Sequence, residues 1–480
     1  MLYTLTYPRD KYDENALDKQ LILKLILKHR STIVEKLYKN KKYYDGEHDI
    51  LGKKRRANAP NAKVVCNHAK DIADNSSGYF MGNPITYNAS TEETEALDKL
   101  TTAFDNAHVD DADSDNALNM GIYGVAYEYV YAKEGEAELQ IRTLEPEHTF
   151  IVYDDSIEQE ELFGVYYRIE KDDTTNEITY VATVVTENYI YTFNLTGDGT
   201  EPIPLTEEPT PHNLGYASIV EYKNNKDNIG DFEQQISLID AYNTLMSDRV
   251  NDKEQFIDAL LVIYGAILGD NADETTEAME KLRKEKLLEL PEDAKAEYLS
   301  RTLDEAGVET LRKAIKEDIY TFSHVPNLTD EHFVGNSSGV AMEYKLLGLE
   351  MITKIKERYY KKGLRKRIAI FCHFLGIKQI VINANSIIPV FSRSLPKNIQ
   401  ELATTIQNLK GTVSQKTLLQ LLPFVESPED EIKDVKKENE EEAERQRKIF
   451  GNEPNTSPDE ESDDLAKDDG SDDKKDDIDE

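Results

Sequence analysis

Tryptophan is absent from the 480 residues, cysteine occurs only as Cys66 and Cys372, and glycine occurs only 23 times. Two cysteines cannot frame a chain of this length with disulfides, which excludes a stapled secreted scaffold and points to a reducing compartment. The sparse glycines form no Gly-x-x-x-x-Gly-Lys-Ser/Thr phosphate loop, no dinucleotide fingerprint and no Gly-x-Ser-x-Gly elbow. The chain is therefore not expected to hydrolyse nucleotide itself. Long apolar runs are also missing: the longest, 259–268, has ten residues, against the ~20 of a membrane-spanning helix. Asp10 and Asp13 interrupt the start, so no secretory leader is expected. Positive charge is scarce as well. There are 57 basic against 93 acidic side chains, a net of −36, which argues against a protein whose main task is gripping phosphate. A soluble intracellular protein is the expectation.

What is present changes along the chain. The first 120 residues have helical periodicity. Polar residues at Gln20, Lys24 and Lys28 form a narrow stripe on an otherwise apolar helix, which reads as a helix buried on most sides in preference to a membrane-surface anchor. From Gly121 the pattern alternates, with Tyr123, Val125, Tyr127, Tyr129 and Tyr131 on one face. Strand-like runs follow at 139–143, 150–153, 162–169, 178–185 and 189–195, giving an antiparallel, hairpin-built sheet over 121–222. The tyrosines read as a half-buried strand face rather than a base-stacking platform, because no basic groove flanks them.

Helical periodicity returns at Asp231 and runs to about Phe256. A small α/β insertion occupies 257–303. A second helix over 304–326 opens on Thr302-Leu-Asp-Glu305, which resembles a capping box, and carries a stripe at Val308, Leu311, Ile315, Ile319 and Phe322. Two helices bracketing an insertion make an out-and-back excursion. A polar loop covers 327–339. A long helix runs from 340 to about 374, interrupted by Gly348 and Gly363, with a kink or break expected near Gly363. A strand at 381–391 and helices at 398–409 and 416–422 follow, then a charged helix to 450. The tail 451–480 holds 14 acids against three lysines and almost nothing apolar, so it cannot bury enough surface to fold.

Catalytic and metal patterns are weak. Cys66-Asn-His68 and Cys372-His373 do not match zinc-ligand spacings and read as incidental neighbours. Asp110-Asp-Ala-Asp-Ser-Asp115 lacks the central glycine and terminal glutamate of a calcium loop and reads as the cap of a helix starting near Asn116. Asp154, Asp155, Glu170 and Lys171 are raw material for a metal-dependent nuclease, but lie at strand ends where acids are common. No catalytic residue, cofactor site or metal site is assigned, and an enzyme is not expected.

Several segments, in order, resemble a known family. They include Tyr43-Tyr-Asp-Gly-Glu-His-Asp-Ile-Leu51 and 67–87 with Gly82-Asn-Pro-Ile85. They continue with 224–256, containing Leu238-Ile-Asp-Ala-Tyr242 and Ser247-Asp-Arg249. Then come Asn336-Ser-Ser-Gly-Val-Ala-Met-Glu-Tyr-Lys345, Lys356-Glu-Arg-Tyr-Tyr360, and Asn408-Leu-Lys-Gly-Thr-Val-Ser414 through Glu426-Ser-Pro428. This layout resembles the portal proteins of tailed bacteriophages, in the branch of long-tailed phages of Gram-positive hosts. The resemblance implies an α+β multi-domain fold with mainly helical N- and C-terminal parts. Its parts would be a β-rich wing (1–230), stem helices (231–256 and 304–326), an α/β clip (257–303), a tunnel loop (327–339), a long wing helix and strand (340–395), a helical crown (396–450) and an acidic tail (451–480).

It also implies a homo-oligomeric ring, of twelve subunits, at one capsid vertex. Double-stranded DNA would pass through without sequence specificity during packaging and ejection. The partners would be the large terminase subunit, head–tail connector proteins, and major capsid and scaffold proteins, with no membrane. The setting would be the virion, assembled in the host cytoplasm. In that frame Asn327, Thr329, Asp330, Glu331, His332, Asn336 and Ser337 would face DNA from the tunnel loop. Arg312, Lys313, Lys316 and Glu317 would form the stem's channel face. The densest basic cluster is Lys354, Lys356, Arg358, Lys361, Lys362, Arg365, Lys366 and Arg367. It reads as an outer helix face pairing with acids of neighbouring subunits, in preference to a contact with packaged DNA or scaffold. The competing functions are a phage metal-dependent nuclease and a capsid scaffold or adaptor with no channel.

Overall fold

A computed structural model describes residues 4–56, 59–89, 94–133, 135–174, 176–197, 209–257, 260–264, 271–285, 294–299, 304–327, 339–393, 399–422, 425 and 428–450. The acidic tail expected at 451–480 lies outside the described residues. The chain divides into two units, Met1–Leu395 and Pro396–Glu480.

The first unit begins with β1 (Leu5–Tyr7) and α1 (Lys19–His29). Asp18 caps α1 by accepting the amide of Gln20. A π-helical turn at Arg30–Val34 leads straight into α2 (Glu35–Tyr44). There the hydroxyls of Ser31 and Thr32 both donate to the Lys28 carbonyl at 3.1 and 2.7 Å, which competes with the backbone ladder. Ile22, Leu23, Leu25 and Ile26 of α1 are buried against a sheet face that includes Phe150, Phe163, Val165, Ala182 and Phe193. The helix is thus enclosed on most sides, as its narrow polar stripe requires. No helix among the described residues is long and apolar enough to cross a membrane.

Next come α3 (His68–Met81), β2 (Thr86–Asn88), α4 (Thr94–Asn106) and α5 (Val109–Tyr123). The acid run 110–115 lies inside α5 instead of capping a helix that starts at Asn116. Gly124 ends α5 at φ +82°, and a Cβ there would lie 2.2 Å from the Asn228 carbonyl oxygen. Only glycine fits this turn from helix to strand.

The strands are β3 (Val125–Ala132), β4 (Leu139–Leu144), β5 (Thr149–Asp154), β6 (Glu161–Lys171), β7 (Ile178–Val185), β8 (Tyr189–Thr196), β9 (Thr210–Pro211) and β10 (Ile219–Lys223). They form two sheets, not one. The six-stranded sheet has the order β1-β5-β6-β7-β8-β9, with β1 parallel to β5 and the other pairs antiparallel. The three-stranded sheet has the order β10-β3-β4. A shared core of Val125, Tyr127, Leu144, Ile151, Val185 and Ile219 joins them. The split explains the tyrosine strand. Tyr127 faces that shared core, whereas Ala126, Glu128 and Val130 of the opposite face are fully buried too.

Then follow α6 (Ile236–Ile257), β11 (Leu260–Tyr264), α7 (Ala272–Glu285), β12 (Lys295–Leu299) and α8 (Glu305–Ser323). β11 and β12 pair antiparallel. Thr302 lies outside the described residues, and the side chain that caps α8 is Asp304, which accepts the Gly307 amide at 2.9 Å.

The extended segment before α3 is laced to α6. The amides of Ala62, Val64 and Cys66 donate to Asn251 Oδ1, Ser247 Oγ and Asn243 Oδ1 at 2.7, 3.0 and 2.8 Å. Two residues of extended chain advance ~6.6 Å and four of helix ~6 Å, so alternate amides meet every fourth helical side chain.

The helix α9 (Gly339–Ile377) is continuous over 39 residues. The helix does not break near Gly363. A Cβ on that residue would lie 2.5 Å from the Tyr222 ring and 2.9 Å from the Glu221 carbonyl. The glycine lets β10 press flat on the helix. β13 is only Ile388–Val390, pairing with β2, shorter than the 381–391 run suggested.

The second unit contains α10 (Ile399–Leu409), α11 (Gln415–Leu419) and α12 (Pro428–Phe450). Ser414 caps α11 through the Thr417 amide.

Candidate functional site

The out-and-back excursion exists as an antiparallel helix pair. Arg312 of α8 donates to Tyr242 Oη of α6 at 3.0 Å. One turn further out, Arg249 reaches Glu309 at 3.0 Å and Glu305 at 3.1 Å, and Lys253 meets Glu305 at 2.5 Å. Along the pair, rising numbers on α6 meet falling numbers on α8. The hydrogen bond from Arg312, with help from Arg249, holds the Glu309 carboxyl down at about 2. Hydrogen bonding from Lys253 likewise lowers Glu305. These carboxylates stay ionised in any ordinary buffer.

Of the four residues assigned to a stem channel face, Lys313 and Glu317 are exposed and Lys316 is half-buried, 5.9 Å from the Tyr320 ring centre. Arg312 departs from them. It is bound to Tyr242 and, through Nε and Nη2, to Glu309 at 3.0 and 2.7 Å, so it braces the helix pair. The stripe on α8 also divides. Ile319 is buried and Ile315 packs on the same core, but Leu311 and Phe322 are 50% and 61% exposed.

Of the tunnel-loop residues, Asn327 is half-buried just beyond α8. Thr329, Asp330, Glu331, His332, Asn336 and Ser337 lie outside the described residues.

The basic cluster on α9 separates into two populations. Arg367 is fully buried, with Nη1 2.6 Å from Asp113 Oδ1, Nε 2.8 Å from Glu128 Oε1, and Nη2 on Glu128 Oε2. Tyr360 and Tyr222, stacked at 4.4 Å, donate to Asp113 and Glu128 at 2.5 and 2.8 Å. Asn116 adds a bond to Glu128 at 3.0 Å. Burial pushes Asp113 up to about 6, against the pull of Arg367. Lys356, also buried, holds Asp231 at 2.5 Å and Ser76 at 2.7 Å. Lys366 binds both oxygens of Glu161 at 2.6 Å and the Ile219 carbonyl at 2.7 Å. These three cations are neutralised inside the subunit and are not part of an outer face. Lys354, Arg358, Lys362 and Arg365 are exposed and Lys361 is half-buried. Helical periodicity places 356, 360 and 367 on one side of α9, where α5 supplies Asp113, β3 supplies Glu128 and the segment before α6 supplies Asp231; the count of basic residues alone hid this.

Asp113 and Glu128 are the side chains that sequence reasoning missed. Each carried a signal: an acid at a core spacing of α5, and an acid alone among Tyr, Val and Ala in β3.

The remaining candidates do not assemble. Cys66 packs against the core beneath α3 and α6, while Cys372 belongs to another core with α4 and α5. His68 lies 3.2 Å from Tyr320 Oη, and burial holds it down at about 4. Asp154 is enclosed by Ser156 and Arg9 at the start of the β5–β6 turn. Glu170 pairs with Arg168 nine residues from Glu161 on β6, a separation of ~30 Å along the strand. No group of three or more metal-ligating side chains occurs among the described residues.

The family model of phage portal proteins of the SPP1 Gp6-like type matches residues 23–445. The chain belongs to this portal protein family. The portal protein of Bacillus phage SPP1 is 25% identical over 480 aligned residues, covering 94% of this chain and 91% of that protein. The portal protein of Clostridium phage phiCD119 (strain Clostridium difficile/United States/Govind/2006) is 22% identical over 431, covering 82% and 91%. Among solved structures, a chain from the neck of a native gene transfer agent particle computed with C12 symmetry superposes with a TM-score of 0.44. It shares 10% identity and covers 74% of this chain and 89% of that one. As a portal protein, the chain is a structural component of a phage virion, at the capsid vertex, and not an enzyme.

Proposed function

We propose that identical copies of this chain form a ring, of twelve subunits, through which double-stranded DNA enters and leaves the capsid. The observation that carries this is the antiparallel α6–α8 pair with its β11–α7–β12 insertion between the two helices. A pair braced by three ion pairs and carrying solvated side chains on its outer side can stand beside neighbours as one stave of a wall. In this reading α6 and α8 are the stem, 257–303 the clip that meets terminase and later the head–tail connectors, 1–230 and 340–395 the wing, and 327–339 the tunnel loop. Residues 396–450 are the crown.

The charge supports a conduit over a clamp. DNA that must move cannot be held by many phosphate contacts, and a wall built from chains of net −36 repels the duplex and keeps it centred. Lys313 and Lys316 would then touch the duplex in passing. The motor is a separate ATPase.

Negative-stain imaging of the purified protein tests the proposal. Annular particles with a stain-filled centre are expected; a population of compact monomers at all concentrations overturns it. Lys313→Glu with Lys316→Glu is expected to lower packaging while leaving rings intact.

A further inference from the structure

One face of α9 has no partner among the described residues of the subunit. Tyr344, Leu347, Met351 and Ile355 are 74%, 51%, 62% and 46% exposed. At 100° per residue they fall within an arc of roughly 100°, and the same arc continues through Arg358, Lys362 and Arg365. These three are exposed and make no ion pair among the described residues. The face is therefore apolar for its first half and cationic for its second, over ~32 Å.

Phe322 of α8 extends the apolar half sideways. Phe322, Ile355 and Tyr359 share a cavity of about 380 Å³, large enough to receive side chains from outside. With Phe322, the four apolar residues expose roughly 500 Å², a large part of the ~800 Å² that each side contributes to a standard interface.

We infer that this face of α9 is a docking surface for a second copy of this chain. Two observations choose that occupant. The cationic half needs an acidic partner, and a chain of net −36 supplies one. A ring of identical subunits also joins each copy to the next through two unlike surfaces, so a face that matches nothing on itself is suited to a neighbour. The inference rests on the ring reading above. It adds which surface closes the ring, and assigns the exposed cations of α9 to subunit contact and not to DNA.

The experiment compares wild type, Met351→Asp, Leu347→Asp, and Arg358→Glu with Arg365→Glu, by light scattering after size exclusion. Val381→Asp is the control, because Val381 is 85% exposed elsewhere. All five positions substituted are solvent-facing, and unchanged circular dichroism confirms folding. At a concentration where wild type is assembled, M351D and L347D are expected to lower the ring fraction at least tenfold. The double charge reversal should lower it severalfold, with an effect that weakens as salt rises, and V381D should match wild type. Normal rings from both M351D and L347D overturn this inference and leave the ring reading standing. Rings of normal abundance that fail to enter capsids also overturn it, and reassign the face to a capsid or scaffold protein. Absence of rings from wild type overturns the ring reading itself.

Discussion

Arg367 and Arg249 each bridge two carboxylates, yet one is sealed beneath α9 and the other lies outside on the α6–α8 pair. Arg367 has no exposed surface and shares its carboxylates with two stacked tyrosines. The Arg249 side chain is 31% exposed, and its partners Glu305 and Glu309 are 38% and 35% exposed. Water can replace any bond that Arg249 loses. Nothing can replace those of Arg367, because Asp113 and Glu128 would be left in an apolar core without their cation. The buried set fixes how α5, β3, β10 and α9 meet. The exposed set holds two helices side by side while letting them adjust.

The sharpest way to break the contrast is Arg367→Met. It leaves two buried carboxylates behind, and chemical denaturation at pH 7.5 should show a loss of about 4 kcal/mol. Lys356→Met strands one buried carboxylate, Asp231, which keeps its 2.9 Å bond from Asn224. A loss of about 2–3 kcal/mol is expected in the same assay.

pH separates the two regions next. His29 is buried beside Phe150 and Tyr167, and burial, helped by His148, holds it down at about 3. Its folded value lies below its unfolded one, so the stability it gives is complete above pH 6.5 and is lost as pH falls towards 3. Between pH 7.5 and 5 this amounts to about 2 kcal/mol, which His29→Gln should abolish from the pH dependence. Asp113 runs the other way. Its raised value makes the fold more stable as pH falls through about 6 towards the ordinary carboxylate range, so Asp113→Asn should steepen the acid loss. Glu309 titrates near 2 and leaves the helix pair unmoved over this range. The smallest effect belongs to Arg249→Ala, about 0.5 kcal/mol and shrinking with added salt. A loss there as large as that of R367M would erase the distinction.

Much of the layout was legible before any coordinates. The out-and-back helices, the insertion between them, the enclosed α1 and the charged α12 follow from periodicity, because a helix or strand must put its apolar side against something. What failed were readings that treated a residue type as a role. A run of eight cations on α9 suggested one surface, but a helix turns 100° per residue and divided them between a buried side and an exposed one. Gly363 suggested a break and proved to be a seat for Tyr222. The Asn243, Ser247 and Asn251 ladder gave no warning, since its partners are backbone amides some 180 residues away.

The sequence by itself determined most of the helices and strands among the described residues, the strong negative charge and the family, all properties of local pattern or of order along the chain. The tertiary structure alone decided which charges are hidden and which stand free. Burial depends on what packs opposite, and for Arg367 the opposing carboxylates come from α5 and β3, about 240 residues earlier in the chain.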